Sequence, residues 1–282
     1  MSRADEPEDL ASPERRLVDP RSLAVRFSTL KHLARSPAHY FAACQGQAVD
    51  TPARKAGRAG HAAALGTPLA VWDRKTSNGS TSPRRGKDWE AFKAEHPDAE
   101  IVTPSEAEPA LAIAAAVKAH PRAAELLYVP GTLREHKVSW SYLGRRCESH
   151  LDVVRPGHVL ADLKCLKDGS PDQVKKVVWW DHYIVQLAAY RLAVEARGWP
   201  APKTTALVVV ENTPPYAVTV YPVTEAALEQ GRKTWHLWFE QLLACERANA
   251  WPGYAQTDVP IDVADQPAER FTVTVGGEDL EL

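Results

Sequence analysis

The sequence is short of the residues that several common chemistries require. Its 282 residues hold four cysteines, Cys44, Cys147, Cys165 and Cys245, spaced far apart and in no CxxC pair. That speaks against a zinc ribbon and a cysteine-ligated iron–sulfur cluster, and it suits a reducing cytoplasm. No stretch approaches the apolar length of a membrane span. Residues 1–19 mix acidic and basic side chains with two prolines and lack an apolar core, so they read as neither a secretory signal nor an anchor. No charge of one sign dominates: 34 Lys and Arg stand against 36 Asp and Glu, a net charge of −2. Any contact with a nucleic acid must therefore be a local patch. A Walker A loop is also missing, because Gly86-Lys87 is followed by Asp88 and the earlier glycine is at the wrong spacing. Nothing marks an ATP-driven motor.

What is present is ordinary globular material, 44% apolar and 25% charged, enough for one large domain or two small ones. The chain is organised around Leu151-Asp152 and Ala161-Asp162-Leu163-Lys164. Residues 150–154 and 159–164 are β-prone runs joined by turn residues at Arg155-Pro156-Gly157-His158. Alternate side chains of a strand share a face, so Asp162 and Lys164 point one way and Leu163 the other. If Asp152 joins them, two carboxylates and an ammonium converge, an arrangement that holds a hard divalent cation beside a reactive water. The other reading of the same residues is a cross-strand ion pair between Asp152 and Lys164. Short motifs of this kind decide little alone.

Around the hairpin, a helix is expected from Ser28, interrupted at Ser36-Pro37. Gly57-Arg58-Ala59-Gly60-His61 leads into a small-residue helix, with His61 either structural or a further metal ligand. Residues 73–100 are polar and turn-rich and read as a mobile basic loop. Thr103-Pro104-Ser105-Glu106 combines an N-cap, a first-turn proline and a capping-box glutamate, so a helix should follow towards His120 and continue to Leu127. Residues 135–142 alternate as a strand that turns at Gly144 into 147–154, completing a three-strand meander. One long helix is expected from Ser170-Pro171 to Arg197-Gly198, carrying Gln186 and Tyr190 four apart on one face. That pair is either a polar edge or part of a site. Strands at 204–211 and 216–223 and an amphipathic helix over 224–249 complete the pattern. The tryptophans at 179 and 180 fit core packing, a partner surface or stacking on an unpaired base.

The order helix, three strands, helix, strand, with D…DxK on the second and third strands, resembles the PD-(D/E)xK nuclease superfamily. Within it the chain is similar to the RecB-type and exonuclease VIII (RecE-type) exodeoxyribonuclease branch. The likeness rests on Gly57-Arg58-Ala59-Gly60-His61, Glu135, Asp152, Asp162-Leu163-Lys164 and the pair Gln186 and Tyr190, across roughly residues 26–250. The exact Pro-Asp dipeptide is absent before Val153, and basic character near the site is modest. The resemblance implies an α/β fold with a mixed sheet, a restriction-endonuclease-like αβββαβ core with added N-terminal helices. The expected division of the chain is a disordered segment over 1–25, a nuclease domain over 26–255 with the mobile insertion near 73–100, and an acidic, partly ordered tail over 256–282.

For the site, the resemblance implies that His61, Asp152, Asp162, the Leu163 carbonyl and Glu135 bind Mg2+ or Mn2+. Lys164 would orient and help deprotonate the attacking water and offset charge in the transition state, while Gln186 and Tyr190 support the site. Glu148 gains no firm role from the pattern. Arg54, Arg58, Arg145, Arg146, Lys167, Lys175 and Lys176 are candidates for phosphate contacts. The implied activity is metal-dependent exonucleolytic cleavage of DNA at duplex ends in recombination or repair, leaving 5′-phosphates, in a bacterium, phage or mobile element. The alternatives are an endonuclease of the same superfamily and a non-catalytic DNA-binding module. A homo-oligomer, a single-strand annealing partner and a cytoplasmic location complete the expectation.

Overall fold

The computed structural model describes residues 17–46, 52–255, 257–260, 272–275 and 278–281, with the backbone alone given for 52–56 and the last two segments. In chain order the elements are α1 (Phe27–Leu30), α2 (Pro37–Cys44), α3 (Pro52–Leu65), β1 (Leu69–Val71), α4 (Lys87–Glu95), β2 (Glu100–Val102), α5 (Pro104–Ala119) and α6 (Pro121–Leu127). They continue as β3 (Leu133–Tyr142), β4 (Arg145–Arg155), β5 (Val159–Leu166), α7 (Pro171–Trp180), α8 (Tyr183–Ala196), β6 (Thr204–Glu211), β7 (Val218–Pro222) and α9 (Glu225–Ala248). A strand pair, β8 (Thr272–Val275) and β9 (Glu278–Glu281), ends the described chain.

The centre is a five-stranded sheet in the order β3-β4-β5-β6-β7, parallel between β5 and β6 and antiparallel elsewhere. Its middle strands read as continuous apolar runs because helices cover both faces. On one face Leu151, Val154, Leu160, Leu207 and Val209 meet Leu187 and Val194 of α8, Trp235, Phe239 and Leu242 of α9, and Leu30 and Tyr40 from the N-terminal helices. On the other, Val153, Val159, Ala161, Leu163, Val208 and Val210 meet Ile113 and Val117 of α5, Leu126 and Leu127 of α6, and Leu65 of α3. α5 starts where its capping box demands, with Glu106 Oε2 accepting the Thr103 N–H at 2.8 Å.

Two glycines set helix approach. A Cβ at Gly60 of α3 would meet Ile113 Cδ1 of α5 at 2.6 Å, and one at Gly231 of α9 would meet the Ile184 carbonyl oxygen of α8 at 2.6 Å. Gly60 leaves room for the Ile113 side chain between α3 and α5, and Gly231 lets α9 approach the backbone of α8. The first of these contacts places His61.

The order of the central strands and helices matches the expectation; several details correct it. Residues 171–197 form two helices rather than one, because His182 takes a left-handed conformation at φ +58° between α7 and α8. The helix expected from Ser28 is the single turn α1, followed by a 3-10 turn over Lys31–Ala34. The stretch 73–100 is not all loop: α4 packs Trp89 and Phe92 on Trp72 at 5.4 and 5.1 Å between ring centres, beside the parallel pair β1–β2. Residues 17–25, expected to be disordered, dock on the start of β4, where the Val25 N–H donates to the Arg146 carbonyl and the Glu148 N–H to that of Val25. Residues 1–16 and most of the tail expected over 256–282 lie outside the described residues. No helix among the described residues is long and apolar enough to cross a membrane.

Candidate metal centre

The site is built where the regular pairing of β4 stops. β4 and β5 pair only from Arg155↔Val159 to Val153↔Ala161, and there the strands diverge. Asp152 fills the fork: its Oδ2 accepts the Leu163 N–H at 2.9 Å, a donor that a continued ladder would have used. The two-residue alternation of β4 resets at the same point. Leu151 and Val154, three apart, belong to one core and Val153 to the other.

Across the β3–β4 ladder the break is mirrored. Arg134 pairs with Val153 and His136 with Leu151, while Glu135 between them sits at φ +50°. A glutamate in that region costs about 1–3 kcal/mol and persists only where its surroundings enforce it. The conformation presents the Glu135 carboxylate to His61, whose Nδ1 lies 3.1 Å from Glu135 Oε1. His61 Nε2 lies 2.9 Å from Asp152 Oδ2. With carboxylates on both ring nitrogens, His61 must carry two N–H groups, and so a positive charge. Burial works against that charge, but Asp152 and Glu135 outweigh it and hold the imidazole up to about 10.

Asp162 and Lys164 form the second half of the site. Asp162 is 0% exposed; Lys164 Nζ pairs with its Oδ2 at 2.6 Å, and Oδ1 has no partner among the described residues. Burial, reinforced by the nearby Asp152 charge, pushes the Asp162 carboxyl up to about 7 despite Lys164. Asp152 moves the other way: burial disfavours its charge, but His61, Lys164 and the Leu163 N–H more than compensate and lower its pKa. For Lys164, the attraction of Asp162 and Asp152 overcomes burial and raises its pKa. The lysine in this state can donate a proton in a hydrogen bond but cannot accept one.

α8 holds that ammonium in place. Lys164 Nζ donates to Gln186 Oε1 at 3.1 Å, and Gln186 Nε2 donates to the Tyr190 hydroxyl at 2.7 Å. Burial keeps Tyr190 protonated far above its usual range. Sequence reasoning missed Tyr183, whose ring centre lies 4.6 Å from Lys164 Nζ as a cation–π partner. Its spacing of three and seven residues from Gln186 and Tyr190 puts it on their face of the helix, and that was the available signal. Beside Gln186 and Tyr190 opens a cleft of about 260 Å3, walled by Arg26, Phe27, Ser28, Glu148, Ser149 and His150. Glu148 is engaged there by Arg26, whose Nε donates at 3.0 Å.

His61, Glu135 and Asp152 offer a nitrogen and two oxygens that all lie within 4.8 Å of one another, a group that could hold a metal ion. The donors are of the types divalent cations take, and the fully buried Asp162 Oδ1, unpartnered among the described residues, is a free acceptor close by. The residues fit a divalent metal. Leu163 is engaged at this point through its N–H; it was expected through its carbonyl.

The expected phosphate contacts are scattered. Lys167, Lys175, Lys176 and Arg146 are exposed. Arg58 pairs with Glu100 at 2.7 Å. The side chain of Arg54 lies outside the described residues. Arg145 is withdrawn from this role: its guanidinium binds the carbonyls of Pro20, Arg21 and Leu23 and reaches Glu246 at 3.1 Å, holding the N-terminal segment to β4 and α9.

Residues 26–258 match the family described as a PDDEXK-like domain of unknown function (DUF3799). The chain belongs to this PDDEXK-like family. No curated protein sequence matches it. Among solved structures, it superposes on a Eubacterium rectale protein provisionally assigned as an exonuclease, with TM-score 0.59 and 16% identity over 87% of this chain and 93% of the other. An alkaline exonuclease (LHK-Exo) from Laribacter hongkongensis aligns at TM-score 0.30 and 14% identity over 68% of this chain and 95% of the other, too low to carry an argument. The mixed five-stranded sheet with helices on both faces is thus the PDDEXK-like fold.

Proposed function

We propose that the protein is a metal-dependent nuclease that hydrolyses DNA phosphodiesters, acting as an exonuclease on duplex ends and leaving 5′-phosphates. The observation that carries this reading is the junction of two half-sites on one fork: His61, Glu135 and Asp152 on one side, Asp162 with Lys164 and Gln186 on the other. A structural ion pair has no use for three neighbouring carboxylates, one of them fully buried with an oxygen left unpartnered among the described residues.

His61, Glu135, Asp152, Asp162 and the Leu163 carbonyl would hold the cation, Mg2+ or Mn2+, and an imidazole in the set favours Mn2+. When bound, the ion supplies Lewis-acid charge that polarises a phosphoryl oxygen and acidifies water. His61 must give up a proton to bind it. Lys164, kept charged and aimed by Gln186 and Tyr183, donates hydrogen bonds to the attacking water and offsets charge that develops on the phosphorus oxygens. Tyr190 positions Gln186 and through it the lysine. Arg146, Lys167, Lys175 and Lys176 are proposed phosphate contacts, with affinity falling as salt rises. Work in recombination or repair, a phage or mobile-element origin, a homo-oligomer, a single-strand annealing partner and a cytoplasmic location belong to the same proposal.

The test is degradation of end-labelled linear duplex and covalently closed circles with Mg2+ or Mn2+, by the wild type and by Lys164→Ala. Loss of linear DNA alone, by the wild type alone, is the expected result. Cutting of circles would make the protein an endonuclease. Inactivity of the wild type with either metal would leave a DNA-binding module, and equal activity of the variant would remove Lys164 from the mechanism.

A further inference from the structure

The outward face of α7 presents two adjacent tryptophans that folding does not explain. Trp179 and Trp180 are 75% and 76% exposed, whereas the remaining tryptophans are buried or half-buried. α7 anchors itself without them, through buried Val174 and half-buried Val177 and Val178 on its inner face. Two exposed indoles at consecutive positions therefore mark a contact surface.

The same face carries Lys175 and Lys176, each exposed and each four residues before a tryptophan, so that Lys175 neighbours Trp179 and Lys176 neighbours Trp180. The acid on this face, Asp172, lies towards the other end of the helix, 3.9 Å from Lys175 Nζ. Two ammonium groups beside two flat apolar rings complement a strand that alternates phosphates with unstacked bases. Duplex DNA would satisfy the lysines but has no free base faces to offer the rings.

The C-terminal end of this helix is linked to the reaction site. Asp181, next to Trp180, closes α7 with its N–H on the Val177 carbonyl and accepts the Tyr183 hydroxyl at 3.3 Å. The Tyr183 ring in turn lies against Lys164 Nζ. One peptide bond and two contacts separate Trp180 from the proposed catalytic lysine.

We infer that Lys175, Lys176, Trp179 and Trp180 form a stacking platform for an unpaired DNA strand lying next to the cleavage site. The inference rests on the nuclease reading of that site and adds the strandedness of the DNA it handles. A platform here favours substrates with single-stranded overhangs over blunt duplexes.

Binding is measured on the full chain in EDTA, so that cleavage plays no part, using a fluorescein-labelled oligothymidine and a blunt duplex as probes. Trp179→Ala/Trp180→Ala should weaken oligothymidine binding by about tenfold to a hundredfold, at the cost expected for one or two lost stacked bases. The blunt duplex should lose about threefold at most. Trp179→Phe/Trp180→Phe should recover most of the oligothymidine affinity, since phenyl rings stack, and quenching of the wild type's indole fluorescence by oligothymidine should disappear in the alanine variant. Oligothymidine affinity unchanged by the alanine pair overturns the inference. So does an equal loss on both probes. If the alanine pair instead abolishes self-association in sedimentation while sparing oligothymidine binding, the surface serves a second copy of the chain and the inference fails. Cleavage assayed separately with Mn2+ reports on the site itself, so failure of the nuclease reading and failure of the platform give different results.

Discussion

The two ends of the β3–β4 ladder are built on opposite principles. From His136↔Leu151 outward to Tyr142↔Arg145 the pairing is unbroken, and its inner face carries Val138, Trp140, Cys147 and Leu151 into the core. Trp235 of α9 stacks on Trp140 at 6.1 Å and meets Tyr142 at 6.4 Å. At the other end the alternation fails within one residue: Glu135 turns left-handed, Asp152 takes a backbone donor from β5, and charges are buried where a sheet would place valines. The regular end gains stability from packing. The broken end holds its carboxylates close together at a cost in stability, and that proximity is what binding a cation requires.

This contrast can be broken from either side. Truncating the regular end, Trp235→Ala should cost about 3–5 kcal/mol of unfolding free energy by leaving a cavity. Denaturant titration measures it, and the cleavage rate per folded molecule should be unchanged. At the broken end Lys164→Ala should do the reverse, lowering the cleavage rate by about 10²–10³-fold, as for loss of one transition-state donor, with the fold retained. Asp162, whose carboxyl already sits at about 7, then takes up a proton more readily and avoids a bare buried charge. Rates on linear DNA beside a thermal melt would decide it; collapse of the fold with the rate would contradict the division of labour.

Both His61 and Asp162 make the broken end sensitive to pH. His61 rises from 6.5 to about 10 in the fold, so the native state keeps a proton that the unfolded chain releases. The stability this gives is full below pH 6.5 and is lost as pH climbs towards 10. Asp162, raised from 3.8 to about 7, adds a loss in the same direction at lower pH. Thermal melts without metal should therefore show stability falling between pH 6.5 and 10, and His61→Gln should flatten that slope. Stabilisation by Mn2+ should grow over the same window, because the metal displaces the His61 proton. A metal effect that shrinks as pH rises would count against His61 as a ligand.

The smallest effect concerns the strained residue itself. Glu135→Gly should relieve the left-handed backbone and gain up to about 1 kcal/mol in stability while weakening Mn2+ binding. If the glycine lowers stability by that amount or more, the His61 contact contributes more than the strain costs.

How much of this was legible follows from which forces write themselves into sequence. The central strands and the capping box at Thr103 and Glu106 were legible, because apolar periodicity and caps act locally; the motif residues were named from the family resemblance, and the structure brings His61, Glu135 and Asp152 together. Gln186 and Tyr190 were placed on one face by spacing alone, and the structure joins them by a hydrogen bond. The break between α7 and α8 was not legible: the helical pattern runs through Asp181 and His182, and no glycine flags the left-handed turn. Glu135 and Asp152 were expected on simple strands, and alternation alone would not have reset there; the reset comes from tertiary contacts with His61 and Leu163. Arg145 looked like a phosphate contact because a basic pair after a turn carries no mark of its partner, Glu246, a hundred residues further on.

The break in the ladder is proposed as a metal centre. Crystals soaked in Mn2+ and measured at its absorption edge test it directly. An anomalous peak among His61, Glu135 and Asp152, on the side facing Asp162 and at about 2.0–2.3 Å from the Asp152 carboxylate, is the predicted result. Crystals saturated with Mn2+ that show no peak there, with His61 still lying between the two carboxylates, would contradict it.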